Sequence, residues 1–233
     1  MTTPSPAADV RLPALAVLVS GGLDSAILLG ESLHNYAAVY PLYVSSGLYW
    51  EPVELEYLHR FLHAVRSSAL QTLHILEMPV ADLYGQHWSL TGVGVPHAET
   101  PDEAVFLPGR NVLLLAKAIL WCHLHGVGAV ALAPLDSNPF PDATPAFFEA
   151  YQTVVNQAIG GNVRVLRPYQ GFSKADVLRR GQGLPLEHTF SCMRPMRGLH
   201  CAHCNKCAER RRGFTAAGLP DPTTYALEGP CSA

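Results

Sequence analysis

Two groups of side chains in this sequence are spaced for chemistry. The first is Ser20-Gly21-Gly22-Leu23-Asp24-Ser25, which follows the apolar run Val17-Leu18-Val19 and precedes a helical pattern. Adjacent glycines allow a turn tight enough to present backbone N–H groups to an anion, and a helix starting there points its positive end at the same spot. No Gly-Lys-Ser/Thr follows and the spacing is not that of the eight-residue Walker loop, which disfavours γ-phosphate transfer and leaves a pyrophosphate grip. A βα turn capped by Ser or Asp would give the same six residues a purely structural role.

The second group is Cys192-x₈-Cys201-x₂-Cys204-x₂-Cys207. Four thiolates are the complement of a closed, tetrahedral structural Zn²⁺ site, which has no open position for water and therefore holds chain together instead of catalysing. An iron–sulfur cluster and a set of packed free thiols are the other readings of four cysteines. His200 and His203 flank the set and could replace one ligand. Cys122 falls in a helical pattern and reads as core, and Cys231 lies in the tail.

Elements that position these groups can be traced in order. Residues 1–13 are rich in Pro and Ala and read as a flexible lead-in. A strand runs to Val19, a helix from Asp24 to His34, and an apolar run from Ala37 to Val44 is interrupted by Pro41, which places that residue at a strand start, edge or bulge. Pro52 suits a helix start, with Leu55, Leu58, Leu62 and Val65 on one stripe. Leu73 to Met78 is a third strand. Residues 84–108 hold no sustained period and read as a lid, a binding segment or a disordered loop. Val112 to His125 is a helix, Gly128 to Ala133 a strand, Pro145 to Ile159 a helix, and Val163 to Leu166 a fifth strand. Ser173 caps a further helix, with Asp176 three residues on.

Alternating strands and helices predict an α/β fold, a doubly wound and mainly parallel sheet over residues 14–185, with a small zinc-stapled helical element over 186–233. Ligands of such sheets bind at the carboxyl ends of the strands, where the turn at 20–25 and the loops at 45–50 and 134–142 gather. Hydrophobic residues at 48% and charged residues at 15% exclude disorder, and a net charge of −3 gives no reason to expect nucleic acid as a partner. No apolar run nears the roughly 20 residues of a membrane span, and the start lacks a basic leader, so a cytoplasmic protein is expected. There are only three lysines, Lys117, Lys174 and Lys206, against thirteen arginines, which makes each one worth locating.

The six-residue loop resembles the signature of the N-type ATP pyrophosphatases, which split ATP between the α and β phosphates. Together with Phe106-Leu107-Pro108-Gly109-Arg110-Asn111, Phe140-Pro141-Asp142, Ser173-Lys174 and Thr189-Phe190-Ser191-Cys192 leading into the cysteines and Glu209-Arg210, it resembles the 7-cyano-7-deazaguanine synthase family. The resemblance covers most of the chain in order. It implies an ATP-dependent ligase that adenylates the carboxylate of 7-carboxy-7-deazaguanine, lets ammonia displace AMP to give the amide, and adenylates again to reach the nitrile. By the same resemblance Ser20, Gly21, Gly22, Leu23, Asp24 and Ser25 hold the pyrophosphate, Asp24 carries Mg²⁺, and a homodimer is expected.

On this reading Arg110 and Lys174 join Asp24 in catalysis by meeting phosphate charge, although either position also suits a solvated cation. Asn111, Asp136 and Asp142 are substrate-binding candidates. A carboxylate such as that of Asp142 matches the N1–H and amino group of a guanine-like base, and an aspartate after proline equally makes a turn. Arg210-Arg211-Arg212 reads as a solvated face or a carboxylate partner. The chain departs from the family pattern at Ser45-Ser46-Gly47-Leu48-Tyr49-Trp50, at Ala143-Thr144 and at Leu23. Two other functions fit the residues: a pyrophosphatase acting on another deazapurine, RNA or protein acceptor, and a non-catalytic zinc-stapled nucleotide-binding module.

Overall fold

The structure, a computed structural model, describes residues 12–226. The remainder of the expected 1–13 lead-in, and Cys231, lie outside the described residues. In chain order the elements are β1 (Leu12–Leu18), α1 (Leu23–Asn35), β2 (Tyr36–Ser45), α2 (Glu51–Ala64), β3 (His74–Glu77), α3 (Ala81–Tyr84), α4 (Trp88–Thr91), α5 (Arg110–Leu124), β4 (Ala129–Ala131), α6 (Pro145–Ile159), β5 (Arg164–Leu166), α7 (Lys174–Arg180) and α8 (Asn205–Ala217). Single 3₁₀ turns occupy Asp102–Val105, Pro141–Ala143 and Leu186–His188. No helix among the described residues is long and apolar enough to cross a membrane.

All five strands pair in parallel, in the order β3-β2-β1-β4-β5. Because successive strand residues face opposite sides, β1 divides its side chains between two cores. Leu15, Val17 and Val19 pack with α1, α2, α7 and α8, whereas Ala16 and Leu18 pack with α5 and α6. The sheet is therefore covered on both faces, as doubly wound folds require. Chain order reverses at the boundary between β1 and β4, which opens a crevice beyond their carboxyl ends.

Local chemistry sets most helix ends. Thr144 caps α6 through its hydroxyl, with Pro145 at the first helical position, and Gly160 ends the helix in the left-handed conformation. Ser173 and Asp176 form a reciprocal capping box at the start of α7. Pro41 lies inside a strand with neighbours on both sides, not at an edge. The strand tolerates it because it falls between the Val39–Leu70 bridge and the first β2–β3 pair, Leu42–His74, where no ladder runs on the β3 side. The stretch 84–108 carries only short turns, and its Val80, Val105 and Leu107 flank share a third core with Trp50, Tyr57, Phe190 and the four cysteines.

Candidate active site

The loop after β1 is built by its own side chains. Ser25 Oγ accepts from the Ser20 amide at 3.1 Å, lies 3.2 Å from Ser20 Oγ and donates to the Gly22 carbonyl. Gly22 starts α1 with no side-chain cap, so the first-turn amides of the helix stay open to a ligand. Gly21 adopts a φ of +68°, and a Cβ there would meet Glu54 Cγ at 2.9 Å and the Glu54 carbonyl oxygen at 3.2 Å. Its place is thus behind the loop, against α2. From the far end of the chain the Phe190 amide donates to the Gly21 carbonyl at 2.7 Å, tying the cysteine segment to the loop.

Two adjoining cavities of about 260 and 240 Å³ open here, and Ser20, Gly22, Asp24, Glu54, Arg110 and Phe140 line both. The first runs along the strand ends, past Val44 and Leu132, to Asn111 and Asp142. The second turns toward Lys174, Lys206 and Glu209, and Leu23 and Phe190 form part of its wall. The ring of Trp50 stacks on Trp88 at 6.0 Å at the second cavity's rim.

Charges are paired across elements. Lys174 Nζ donates to Asp24 Oδ2 at 2.7 Å and lies 3.5 Å from Glu209, which also pairs with Lys206. Burial pushes the Glu209 carboxyl up, but the two ammonium groups outweigh it and hold it near about 2. Burial lowers the Lys174 ammonium, while Asp24 and Glu209 raise it further, so it stays charged. Among the described residues, Asp24 Oδ1 and Arg110 Nε are buried with no hydrogen-bond partner. These are an acceptor and a donor that an ion or ligand would satisfy.

Most residues expected from sequence therefore converge. Ser20, Gly22, Asp24, Ser25, Arg110, Asn111 and Asp142 line the first cavity, and Lys174 the second. Asp142 is partly committed: its Oδ2 accepts from the Asn111 amide at 2.9 Å, and Asn111 Nδ2 returns a bond to its carbonyl. This cap extends α5 back to Arg110, two residues earlier than the sequence pattern predicts. Asp136 lies apart from them. It lines neither cavity, and its carboxylate accepts from the Gly171 amide at 2.9 Å, stitching the loop after β4 to the turn after β5. The arginine run divides between the two expected roles: Arg210 is 1% exposed, lies 3.8 Å from the Asp221 carboxylate and bonds Thr189, Ser191 and the Leu186 carbonyl, whereas Arg211 lies over Tyr225 and the exposed Arg212 lies 3.9 Å from Asp102.

Sequence reasoning missed Glu54, Tyr43 and Glu209. Glu54 is 6% exposed and accepts from the Tyr43 hydroxyl at 2.6 Å. Its neighbour Glu51 accepts from Ser45 Oγ and from the Ser46 and Gly47 amides, shaping the loop after β2. Glu209 had a signal in the scarcity of lysines, since two of the three flank it.

Cys192, Cys201, Cys204 and Cys207 are buried with their sulfurs all within 4.8 Å of one another. Sulfur separations of 3.9 Å for Cys192–Cys204 and 4.0 Å for Cys201–Cys207 approach the roughly 3.8 Å edge of a tetrahedron with 2.3 Å metal–sulfur bonds. Backbone amides of Arg194 and Cys201 point at Cys192 Sγ, and those of His203 and Cys204 at Cys201 Sγ, an environment that stabilises thiolates. The donor set fits a structural metal.

Two curated relatives align with this chain over nearly its whole length. The 7-cyano-7-deazaguanine synthase of Azoarcus sp. (strain BH72) is 31% identical over 226 residues, covering 92% of this chain and 97% of that one. That of Thiobacillus denitrificans (strain ATCC 25259 / T1) is 32% identical over 225 residues, covering 92% and 99%. A solved 4-thiouridine synthetase–RNA complex with bound ATP matches with a TM-score of 0.49 at 14% identity, over 88% of this chain and 50% of that one. The model of the queuosine biosynthesis protein QueC family matches residues 14–218, and the chain belongs to that family.

Proposed function

We propose that the protein is an ATP-dependent carbon–nitrogen ligase that converts 7-carboxy-7-deazaguanine and ammonia to 7-cyano-7-deazaguanine, through an acyl adenylate and an amide, releasing AMP and pyrophosphate. The observation that carries this reading is the convergence of an uncapped helix start, Asp24, Lys174 and Arg110 on one pair of cavities. A carboxylate is a poor electrophile until one oxygen becomes a leaving group. A grip on the β and γ phosphates draws charge away from the α-phosphorus as pyrophosphate departs.

The first cavity, with apolar walls at Val44, Leu114 and Leu132, suits the purine of ATP. Arg110, with its unpartnered Nε, meets phosphate charge, and the first-turn amides of α1 hold the pyrophosphate. Asp24, through its unpaired Oδ1, would hold Mg²⁺, whose contribution when bound is neutralisation of phosphate charge. Lys174 orients Asp24 and supplies a fixed positive charge to the departing oxygens. The free oxygen of Asp142 and the side-chain oxygen of Asn111 remain for the base. The four cysteines would hold Zn²⁺ as a structural ion.

The test is incubation with ATP, Mg²⁺, ammonium and 7-carboxy-7-deazaguanine, with AMP and nitrile followed by mass spectrometry. AMP and nitrile should appear together, and Asp24→Asn should lower AMP release by about 100-fold or more while the melting temperature holds. AMP release without nitrile, and only with a different acceptor, would replace the substrate assigned here.

A further inference from the structure

Amide formation has a proton to dispose of. When the lone pair of ammonia attacks the acyl carbon, the carbon–nitrogen bond forms, the bond to the AMP phosphate oxygen breaks with its electron pair, and the nitrogen is left with a positive charge. One N–H proton must leave it. Resting on the ligase reading above, the question is which group at this site accepts that proton.

The lining narrows the choice. Among the described residues no histidine lines either cavity, and the carboxylates that do are Asp24, Glu54, Asp142 and Glu209. Asp24 is bound by the Lys174 ammonium, and Glu209 lies between two lysines that hold it far below the range of a useful base. Asp142 gives one oxygen to the Asn111 amide at the start of α5, which commits its carboxylate to that helix. Glu54 differs in kind. Among the described residues it forms no salt bridge, its hydrogen-bond partner is the neutral Tyr43 hydroxyl, and it sits where the two cavities meet.

We propose that Glu54 is the proton acceptor for the attack of ammonia, positioned by Tyr43 on β2 and by the packing of α2 beneath Gly21. Charged and titratable groups act on it from three elements: Tyr43 from β2, Glu51 from α2 and Arg110 from α5. Burial raises its carboxyl to about 7, the Tyr43 hydrogen bond and Arg110 pulling the other way. A general base works best with such a poise, part ionised yet basic enough to hold a proton. The Tyr43 phenol itself is driven up by burial and by Glu54, so it remains a donor. The proton taken by Glu54 returns to solvent through the open cavity, and AMP leaves as the anion.

Glu54→Gln separates this role from substrate binding and adenylation. Carboxylate-dependent exchange of pyrophosphate into ATP should stay within about 3-fold of wild type, and hydroxylamine should still trap the adenylate. Ammonia-dependent amide should fall by about 100-fold or more, the usual weight of a general base. At fixed free-ammonia concentration the wild-type amide rate should rise through pH 7, and this limb should vanish in the variant. Amide formation within 3-fold of wild type, or an equal loss of exchange and amide formation at unchanged melting temperature, overturns the proposal. Wild-type protein that lacks carboxylate-dependent exchange overturns the ligase reading and the base assignment together. Should Glu54→Gln not fold, Tyr43→Phe decides: losing the bond that favours the carboxylate should move the limb to higher pH, and an unmoved limb overturns the role.

Discussion

At the scale of single residues, Glu54 leaves a signature in stability as well as rate. Its carboxyl titrates near about 7 when folded against an ordinary value of 4.5, so the protonated form is the one the fold favours. Below pH 4.5 both states carry the proton and the contribution is complete; as pH rises through 7 it is lost. The loss is at most about 3 kcal/mol, at 1.36 kcal/mol for each unit. Since glutamine does not titrate, the melting temperature of Glu54→Gln should rise relative to wild type between pH 4.5 and 7, and a constant difference in thermal melts would contradict the assigned titration. Asp24, Arg110, Asn111, Asp142 and Lys174 could be named from sequence because their motifs are compact. Glu54 could not, because it is one of three carboxylates within Glu51 to Glu56 at a helix start, where acidic residues are ordinary. Only its burial beneath the loop sets it apart. The contact that Asp136 makes was equally hidden, since its partner is a backbone amide thirty-five positions away.

At the scale of elements, the turn at Gly21 joins the first strand to the second helix. Gly21→Ala puts a methyl group against Glu54 Cγ and carbonyl and also demands a left-handed alanine. The expected cost is roughly 1–3 kcal/mol in urea unfolding, with a matching loss of ATP affinity because α2 and the loop cannot both keep their places. Caps and stops were readable in sequence: Ser173 with Asp176, Thr144 with Pro145, and Gly160 act through neighbours in the chain. Pro41 was not, since its acceptability depends on where β3 begins to pair. The earlier start of α5 likewise depends on Asp142, thirty-one residues distant.

At the scale of the whole molecule, alternation of strands and helices sufficed to foresee the parallel sheet and the gathering of loops on one rim. Strand order and the sharing of a core between the cysteine segment and the loops after β2 and before α5 were beyond it, because both follow from long-range packing. The four cysteines lie in one hydrophobic cluster with Leu48, Trp50, Tyr57 and Phe190, and Phe190 bonds the Gly21 carbonyl. Metal removal should therefore do more than loosen the C-terminal segment. Chelation verified by metal analysis should lower the melting temperature and weaken ATP binding measured by calorimetry, since the wall of the second cavity shifts with Phe190. Unchanged ATP affinity in the stripped protein would show that the two are uncoupled.

The pairing of Glu51 and Glu54 on adjacent turns of α2 has a bearing on how this site can be re-engineered. The Glu51 carboxylate builds the loop after β2, while Glu54 sets its Cγ and carbonyl against Gly21 in the loop after β1 and its carboxylate on Tyr43. A single inserted or deleted residue between them would swing one carboxylate by about 100° around the helix and strand it. The loop after β2 is therefore best exchanged as residues 45–54 in one cassette, with α2 kept in frame, and not at its tip alone.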